Sequence, residues 1–209
     1  CPPSELRKMP EAMKRIEAVK RLRLASKSVP TKKLSETPTR FHVENIPDRP
    51  FIVIPKVSTD KRRYIPIGFM EANVLASDLV FILPQATLFH FGVLSSSAHN
   101  FWIRAVCGRL GTGYRYSKDI VYNNFPWPVA SEIQQNNIQE AAQGVLEARK
   151  LFPDSCLADL YDPLSMPPAL LKAHKELDQA VFKAYGFSEN DRTEKNCVAK
   201  LFTLYLKLI

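Results

Sequence analysis

The side chains with the clearest chemical potential lie in one short run from Gly108 to Ser117, which reads Gly-Arg-Leu-Gly-Thr-Gly-Tyr-Arg-Tyr-Ser. Arginine can bind a guanine edge through two hydrogen bonds, and it also binds phosphate. Tyrosine offers a flat ring and a hydroxyl, and glycine lets the backbone approach a ligand closely. The hydrophobic pattern changes from helical to strand-like across this run, which favours an exposed turn that contacts a ligand.

Arg115 is the strongest candidate for a contact to a base, because arginine to guanine is the commonest direct readout. A phosphate, or a carboxylate such as Asp119, is the alternative partner. If strand geometry holds from residue 111, alternate side chains share one face, namely Gly111, Gly113, Arg115 and Ser117. Thr112 and the two tyrosines then lie on the other face, and either face could meet the ligand. A plain flexible turn between helix and strand is the alternative interpretation of the two glycines.

Several basic side chains near this run are candidates for phosphate contacts, which position a nucleic acid without reading its sequence. They are Lys61, Arg62, Arg63, Arg104, Arg109 and Lys118. The first three fall in a predicted turn between strands, where a solvated charge cluster explains them equally well.

The positive charge is concentrated at the start of the chain. Residues 1–63 hold 16 Lys and Arg against 7 Asp and Glu, whereas residues 128–209 hold 9 against 11. Such asymmetry indicates a polyanionic partner on the N-terminal side. A solvated basic surface is the alternative.

Several classes of function are disfavoured. The four cysteines and four histidines are dispersed, without a CxxC pair, so we expect no metal site and no catalytic residues. An independent small enzyme would need converging His, Cys and carboxylate side chains, and none is visible. No run of 18 apolar residues and no signal peptide occur, so we expect a cytoplasmic protein with no membrane contact. The absence of an initiator Met indicates a piece of a longer protein.

The order of the elements predicts an α+β fold with a β-rich recognition domain, one central helix and a C-terminal helical bundle. Strands are predicted in the aromatic and β-branched runs between residues 41 and 93, and again after Gly108. Helices are predicted at 9–26, 96–109, 131–151, 168–185 and 192–207, the last with Asp191 and Glu194 as a capping box. We therefore divide the chain into a basic helix with its connector (1–40), a β-rich domain (41–130) and a helical region (131–209).

The sequence also resembles a known family, the MmeI-type (type IIL) restriction-modification enzymes, in which one chain joins an endonuclease, an adenine methyltransferase and a DNA-specificity part. The segments that carry the resemblance run along almost the whole chain: Cys1–Arg7, Thr39–Asn45, Arg63–Phe69, Gly92–Leu94, Gly108–Leu110, Tyr114–Ser117, Tyr122–Pro128 and Leu160–Pro168.

The resemblance implies a module that reads double-stranded DNA for methyltransferase and nuclease domains of the same parent chain. Base readout then falls to Gly111, Thr112, Gly113, Arg115 and Ser117. By resemblance, Gly111, Gly113 and Arg115 match positions that select bases, so the two glycines leave room that Gly111→Glu with Gly113→Arg would fill. No cofactor is expected in this chain, which lacks the glycine-rich and Asn-Pro-Pro motifs of the methyltransferase. S-adenosylmethionine and Mg are expected in the parent. A specificity subunit that acts in trans, as in type I systems, is the alternative.

Overall fold

Helices, short strands and the loops between them make up residues 2–208, the part of the chain that a computed structural model describes. These residues divide into two compact units, one ending at Ile46 and the other beginning at Pro47. The first unit contains helices α1 (Pro3–Leu6), α2 (Pro10–Leu24) and α3 (Val29–Lys33), followed by a 3-10 turn at Leu34–Glu36. The helix predicted over residues 9–26 is thereby confirmed as α2.

One arginine orders the predicted connector of the first unit. The Arg23 guanidinium donates to the carbonyl oxygens of Leu34, Thr37 and Arg40 at 2.8, 2.9 and 2.6 Å. A single side chain of α2 therefore binds three backbone carbonyl oxygens of the connector and ties it to the helix.

The strands of the second unit form two three-stranded antiparallel sheets within the described residues. In the first, β1 (Phe51–Pro55) lies between β3 (Gly68–Met70) and β4 (Val80–Pro84). In the second, β6 (Gly113–Arg115) lies between β2 (Val57–Ser58) and β5 (Gly108–Leu110). The α+β class is confirmed, and β1 and β4 match the apolar runs that predicted them, whereas β3 is shorter than its run.

Three predicted strands are wrong. Residues 41–45 form no strand, residues 88–91 begin the helix α4 (Leu88–Ser95), and residues 120–122 lie in a π-helix at Lys118–Tyr122. Helix α4 is largely buried, so its sequence shows no helical alternation and an apolar run alone cannot distinguish it from a strand. The local signals that favour a helix over a strand are the residues that cap each segment. Thr87 exchanges hydrogen bonds with His90 at the start of α4, and Ser117 caps the π-helix.

The predicted central helix is present as α5 (Ser97–Val106), with Ser96 as its N-cap. Its buried face includes the polar residue Asn100, whereas the apolar Ala105 is exposed. Asn100 tolerates burial because its Oδ1 accepts from the Ile65 backbone N–H at 2.9 Å and its Nδ2 donates to the Ser96 carbonyl at 2.8 Å.

The C-terminal helical region is confirmed as α6 (Glu132–Lys150), α7 (Leu157–Leu160), α8 (Pro168–Ala184) and α9 (Glu194–Tyr205). The predicted capping box of Asp191 with Glu194 is wrong. Thr193 caps α9 instead, and the Asp191 carboxylate accepts from Ser188. A hydroxyl directly before the helix reaches its free N–H groups more easily than a carboxylate two residues earlier.

Buried hydrogen bonds join these helices to the strand-bearing part of the second unit. The Asp178 carboxylate of α8 accepts from the Ser97 N–H and hydroxyl, both at 2.6 Å, and from the Tyr64 hydroxyl at 2.7 Å. Burial nevertheless raises the pKa of Asp178. Helix α4 approaches α6 so closely that a Cβ on Gly92 would lie 2.7 Å from Ile138 Cγ2. The strands and the C-terminal helices therefore share one core.

Candidate nucleic-acid interface

The run singled out by the sequence forms a β-hairpin. Strands β5 and β6 pair with Leu110 opposite Gly113 and Gly108 opposite Arg115, which leaves Gly111 and Thr112 as a two-residue turn. Gly111 has a φ of 60°, the left-handed conformation that such a turn requires and that glycine adopts without strain. Strand geometry therefore starts at Gly113, so the condition that would place Gly111 on one strand face with Arg115 is not met.

The two faces of β6 have opposite environments. Tyr114 and Tyr116 are 7% and 4% exposed and pack into the core, whereas Arg115 between them is exposed. Of the two orientations that the sequence left open, the tyrosines therefore lie below and Arg115 faces outward. Within the described residues, the Arg115 guanidinium makes no hydrogen bond or ion pair. Asp119, its alternative partner, pairs with Lys118 at 2.8 Å.

A buried histidine fixes the lower face of the hairpin strand. His99 Nδ1 lies 2.8 Å from the Leu94 carbonyl oxygen, so this nitrogen carries the proton and donates. Nε2 is then the acceptor, and the Tyr116 hydroxyl donates to it at 3.1 Å. Burial lowers the pKa of His99 to about 4, so the imidazole stays neutral near pH 7. The strand that carries Arg115 is thus attached to helix α5.

Gly113 is required by the neighbouring strand. A Cβ at this position would lie 2.7 Å from the Ser58 carbonyl oxygen of β2. A backbone atom cannot retreat as a flexible side chain can, so the expectation that Gly113 leaves room for a longer side chain is wrong. A Cβ added at Gly111 would meet no atom within 4 Å, so only the positive φ of this residue restricts substitution.

Strand β2 brings a residue to the outward face that sequence reasoning missed. Val57 pairs with Arg115 on one side, and Gly108 pairs with Arg115 on the other. Paired residues in neighbouring antiparallel strands share a face, and Val57 is 47% exposed. No local signal could have placed Val57 here, because it lies far from Arg115 in the sequence.

The other predicted base-readout residues shape the ends of the hairpin. Thr112 is exposed in the turn, and its carbonyl oxygen accepts from Arg109 at 3.4 Å. Ser117 is half-buried, and its hydroxyl accepts from the Ile120 N–H at 3.4 Å as the cap of the π-helix. Arg109 also lies over the Tyr114 ring, with its guanidinium carbon 4.4 Å from the ring centroid.

The basic turn after β2 is partly braced. Lys61 is exposed and has no side-chain partner among residues 2–208, while Arg63 lies over the Tyr64 ring at 5.6 Å. Arg104 donates to the Arg62 carbonyl oxygen at 3.0 Å and pairs with Glu194 at 2.9 Å.

Arg62 Nη2 contacts the Ala158 carbonyl oxygen at 3.4 Å. Arg104 and Arg62 therefore hold the turn in place, and Lys61 is the side chain of the three-residue cluster that is most available to a phosphate.

The segment after the hairpin is structural. Asn124 Nδ2 donates to the carbonyl oxygens of Asp119 and Ile120 at 2.9 and 3.2 Å and so closes the π-helix. Phe125 is 2% exposed and packs edge-on against His99. Among residues 2–208, no group of three or more His, Cys, Asp or Glu could hold a metal ion, and no helix is long and apolar enough to cross a membrane.

Comparison with known families matches both halves of this architecture. Residues 2–129 match the model of the MmeI target recognition domain, and residues 130–209 match that of the MmeI C-terminal domain. The chain belongs to the MmeI family. The resemblance given by the sequence segments is thereby confirmed.

Two relatives extend the comparison. DNA methyltransferase A of Bacillus subtilis (strain 168) is 36% identical over 200 residues, which cover 95% of this chain and 23% of that protein. A solved structure of the type IIL restriction-modification enzyme MmeI in complex with DNA is 45% identical, with a TM-score of 0.91 over 98% of this chain and 27% of that one. The chain therefore spans about a quarter of the length of either relative.

Proposed function

We propose that this chain is the module that reads a specific double-stranded DNA sequence for a bifunctional adenine methyltransferase and restriction endonuclease. The observation that carries the proposal is the similarity to MmeI in its DNA complex, at 45% identity and a TM-score of 0.91 over 98% of the chain. The match includes the recognition region, residues 2–129.

The geometry of the hairpin supports this role. Arg115 projects from a strand that is braced from below by Tyr114 and Tyr116, and its guanidinium has no competing partner among residues 2–208. The planar guanidinium of arginine can bind the O6 and N7 atoms of guanine through two hydrogen bonds. Lys61, in the turn after β2, is suited to a phosphate contact that positions the duplex. This region thus combines Arg115, a candidate for base readout, with Lys61, a candidate for binding the DNA phosphate backbone.

The chemistry itself is assigned to other parts of the parent chain. The glycine-rich and Asn-Pro-Pro motifs of a methyltransferase do not occur in this sequence. We therefore propose that S-adenosylmethionine and Mg bind in methyltransferase and nuclease domains outside these residues. That the chain covers only 23% and 27% of its two relatives supports this division.

The alternative is a specificity subunit that acts in trans with a separate methyltransferase. An antibody raised against this chain distinguishes the two in extracts of the native cell. Since the chain covers about a quarter of its relatives, a single-chain enzyme should appear as a band about four times larger than 23.7 kDa. That band should co-purify with methyltransferase activity. A band near 23.7 kDa would favour the subunit.

DNA binding by the chain alone is tested by fluorescence anisotropy at several salt concentrations. Each phosphate contact releases counterions, so we expect weak binding to any duplex, with an affinity that falls steeply as salt rises. Lys61→Ala should lower the slope of log affinity against log salt by about one. Affinity that ignores salt, or no binding even at low salt, would contradict the proposal.

A further inference from the structure

A cavity of about 180 Å³ lies beside the hairpin strand, between the first sheet and the π-helix. Its walls are mainly apolar and aromatic, and they come from Ile54, Phe81, Leu83, Tyr116 and Tyr122. It opens to solvent where Lys118 and Asn123, both exposed, line it. Neither the hairpin contacts nor the hydrogen bonds described above use this space.

The size of the cavity restricts its occupant. It exceeds the room that a few water molecules need, since each takes about 30 Å³ in the liquid. It is smaller than the pockets of about 300–1,000 Å³ that enclose whole drug-sized ligands. A single flat ring system fits these limits, with any attached groups left outside at the mouth.

The chemistry of the walls favours a planar, polar-edged ring. Two partly exposed aromatic side chains can offer a ring for stacking, Phe81 and Tyr122. The buried Tyr116 lies 6.0 Å from Phe81, and Tyr122 meets Trp127 edge-on at 6.0 Å. Within the described residues, the Tyr122 hydroxyl has no hydrogen-bond partner, and Asn123 Oδ1 accepts no hydrogen bond. Both groups can therefore pair with donors or acceptors on the edge of a ring.

The rim carries positive charge that suits an attached phosphate. Lys118 lines the mouth, and Lys56 Nζ lies 4.9 Å from the centroid of the Phe81 ring. Asp119 pairs with Lys118, but both side chains are exposed, and such a pair contributes little against a competing phosphate. Positive charge beside aromatic rings is the combination that sites for single-stranded nucleic acids use.

The position of the cavity connects it to the hairpin. Tyr116 forms one wall and directly follows Arg115 in the chain. The opposite wall includes the π-helix Lys118–Tyr122, an uncommon element that is frequent at functional sites. The mouth at Lys118 lies three residues from Arg115 in the chain, and both side chains are exposed, so a duplex held over Arg115 lies near this opening.

We propose that this cavity takes up one unpaired base of the DNA held at the hairpin, stacked against Tyr122. The inference rests on the proposed function. Enzymes that modify a base turn it out of the duplex, which leaves its former partner unpaired and in need of a new environment. A stacking pocket on the reading module would stabilise the opened duplex without reading its sequence.

The test compares two 30-base-pair duplexes that differ only by one unpaired thymidine, using fluorescence anisotropy with the whole chain at low salt. We expect the chain to bind the bulged duplex at least fivefold more tightly, since stacking of one base contributes about 1 kcal/mol or more. Tyr122→Phe should keep this preference and Tyr122→Ala should abolish it, while the affinity for the paired duplex stays unchanged. With 2-aminopurine as the unpaired base, wild-type protein should quench its fluorescence and Tyr122→Ala should not.

Tyr205→Ala is the matched control, because it removes a half-buried tyrosine at the end of α9, and it should keep the preference. Thermal melting verifies that both variants fold. Equal affinity of the wild-type chain for the two duplexes, or equal losses in Tyr122→Ala and Tyr205→Ala, overturns the cavity proposal alone. Failure to bind either duplex overturns the proposed function as well.

Discussion

The Tyr116 hydroxyl donates to His99 Nε2 at a distance of 3.1 Å, and this contact ties the strand that carries Arg115 to the buried helix α5. His99 in turn donates to the Leu94 carbonyl oxygen at the end of α4. The strand that carries Arg115 is therefore linked by buried hydrogen bonds to both α5 and α4. These contacts fix the backbone position from which the exposed Arg115 side chain can reach a ligand.

Tyr116→Phe should destabilise the protein. The substitution removes the hydroxyl and leaves the buried Nε2 of His99 without a donor, which costs about 1–3 kcal/mol. Urea unfolding followed by circular dichroism measures this loss. Tyr122→Phe is the control, because the Tyr122 hydroxyl has no partner among the described residues, and its stability should change little. Equal effects of the two substitutions would contradict the assigned hydrogen bond.

The glycines of the hairpin should resist substitution for two different reasons. Gly113→Ala places a Cβ 2.7 Å from the Ser58 carbonyl oxygen and should cost about 1–3 kcal/mol, whereas Gly111→Ala should cost about 1 kcal/mol through its positive φ. Gly144→Ala, in the interior of α6 with nothing within 4 Å, should stabilise by about 0.5–1 kcal/mol. Melting temperatures of the three variants test this ranking, with Gly144→Ala the most stable and Gly113→Ala the least.

The combined variant Gly111→Glu with Gly113→Arg should therefore lower the melting temperature markedly. A stable double variant would show that β2 can move away from β6, and Gly113 would then be free to carry a reading side chain.

Stability should fall as the pH decreases from 7 to 5. Burial lowers the pKa of His99 to about 4 and that of His174 to about 3, below their ordinary value of 6.5. Below pH 6.5 these two histidines therefore become protonated in the unfolded chain while they stay neutral in the folded one. Above pH 6.5 the two histidines are neutral in both states and cost no stability. As the pH falls from 6.5 towards the folded pKa values, proton uptake by the unfolded chain lowers the free energy of unfolding, by about 2 kcal/mol per histidine at pH 5. Asp178, whose pKa burial raises, opposes this trend.

Proton NMR tests the cause directly. The imidazole signals of His99 and His174 should not titrate between pH 7 and pH 5 in the folded protein, while urea unfolding over the same range should become easier. Titration of either ring above pH 6 would contradict the assigned burial.

The helical half of the fold could be predicted because its signals are local. Ser131 with Gln134 forms a capping box at the start of α6, and Pro168 opens α8 at the first helical position. These residues fix helix ends without reference to distant parts of the chain. The same signals were present before α4, where Thr87 pairs with His90, but the buried apolar run dominated the prediction.

The sequence was enough to predict which residues form the candidate interface, but not how the strands around them pair. The composition of residues 108–117 indicated an exposed turn that contacts a ligand, and alternation placed Arg115 opposite the two tyrosines. The strand β5 was not predicted, because the helical pattern was extended to residue 109. The pairing of β2 with β6 joins segments more than fifty residues apart, and only that pairing explains Gly113 and exposes Val57 beside Arg115. The aromatic cavity depends likewise on Phe81 meeting Tyr116 across two sheets.

The most direct test of sequence reading is the pattern of methylated adenines in cells that express the natural full-length protein containing this chain. Arg115→Ala should alter the methylated motif at one base position, because a lost guanine contact costs about 1–3 kcal/mol there. Lys61→Ala, the matched basic control, should lower methylation equally at all sites and leave the motif unchanged. An unchanged motif methylated at an unchanged rate in the Arg115→Ala variant would contradict the assignment of the hairpin as the reading surface.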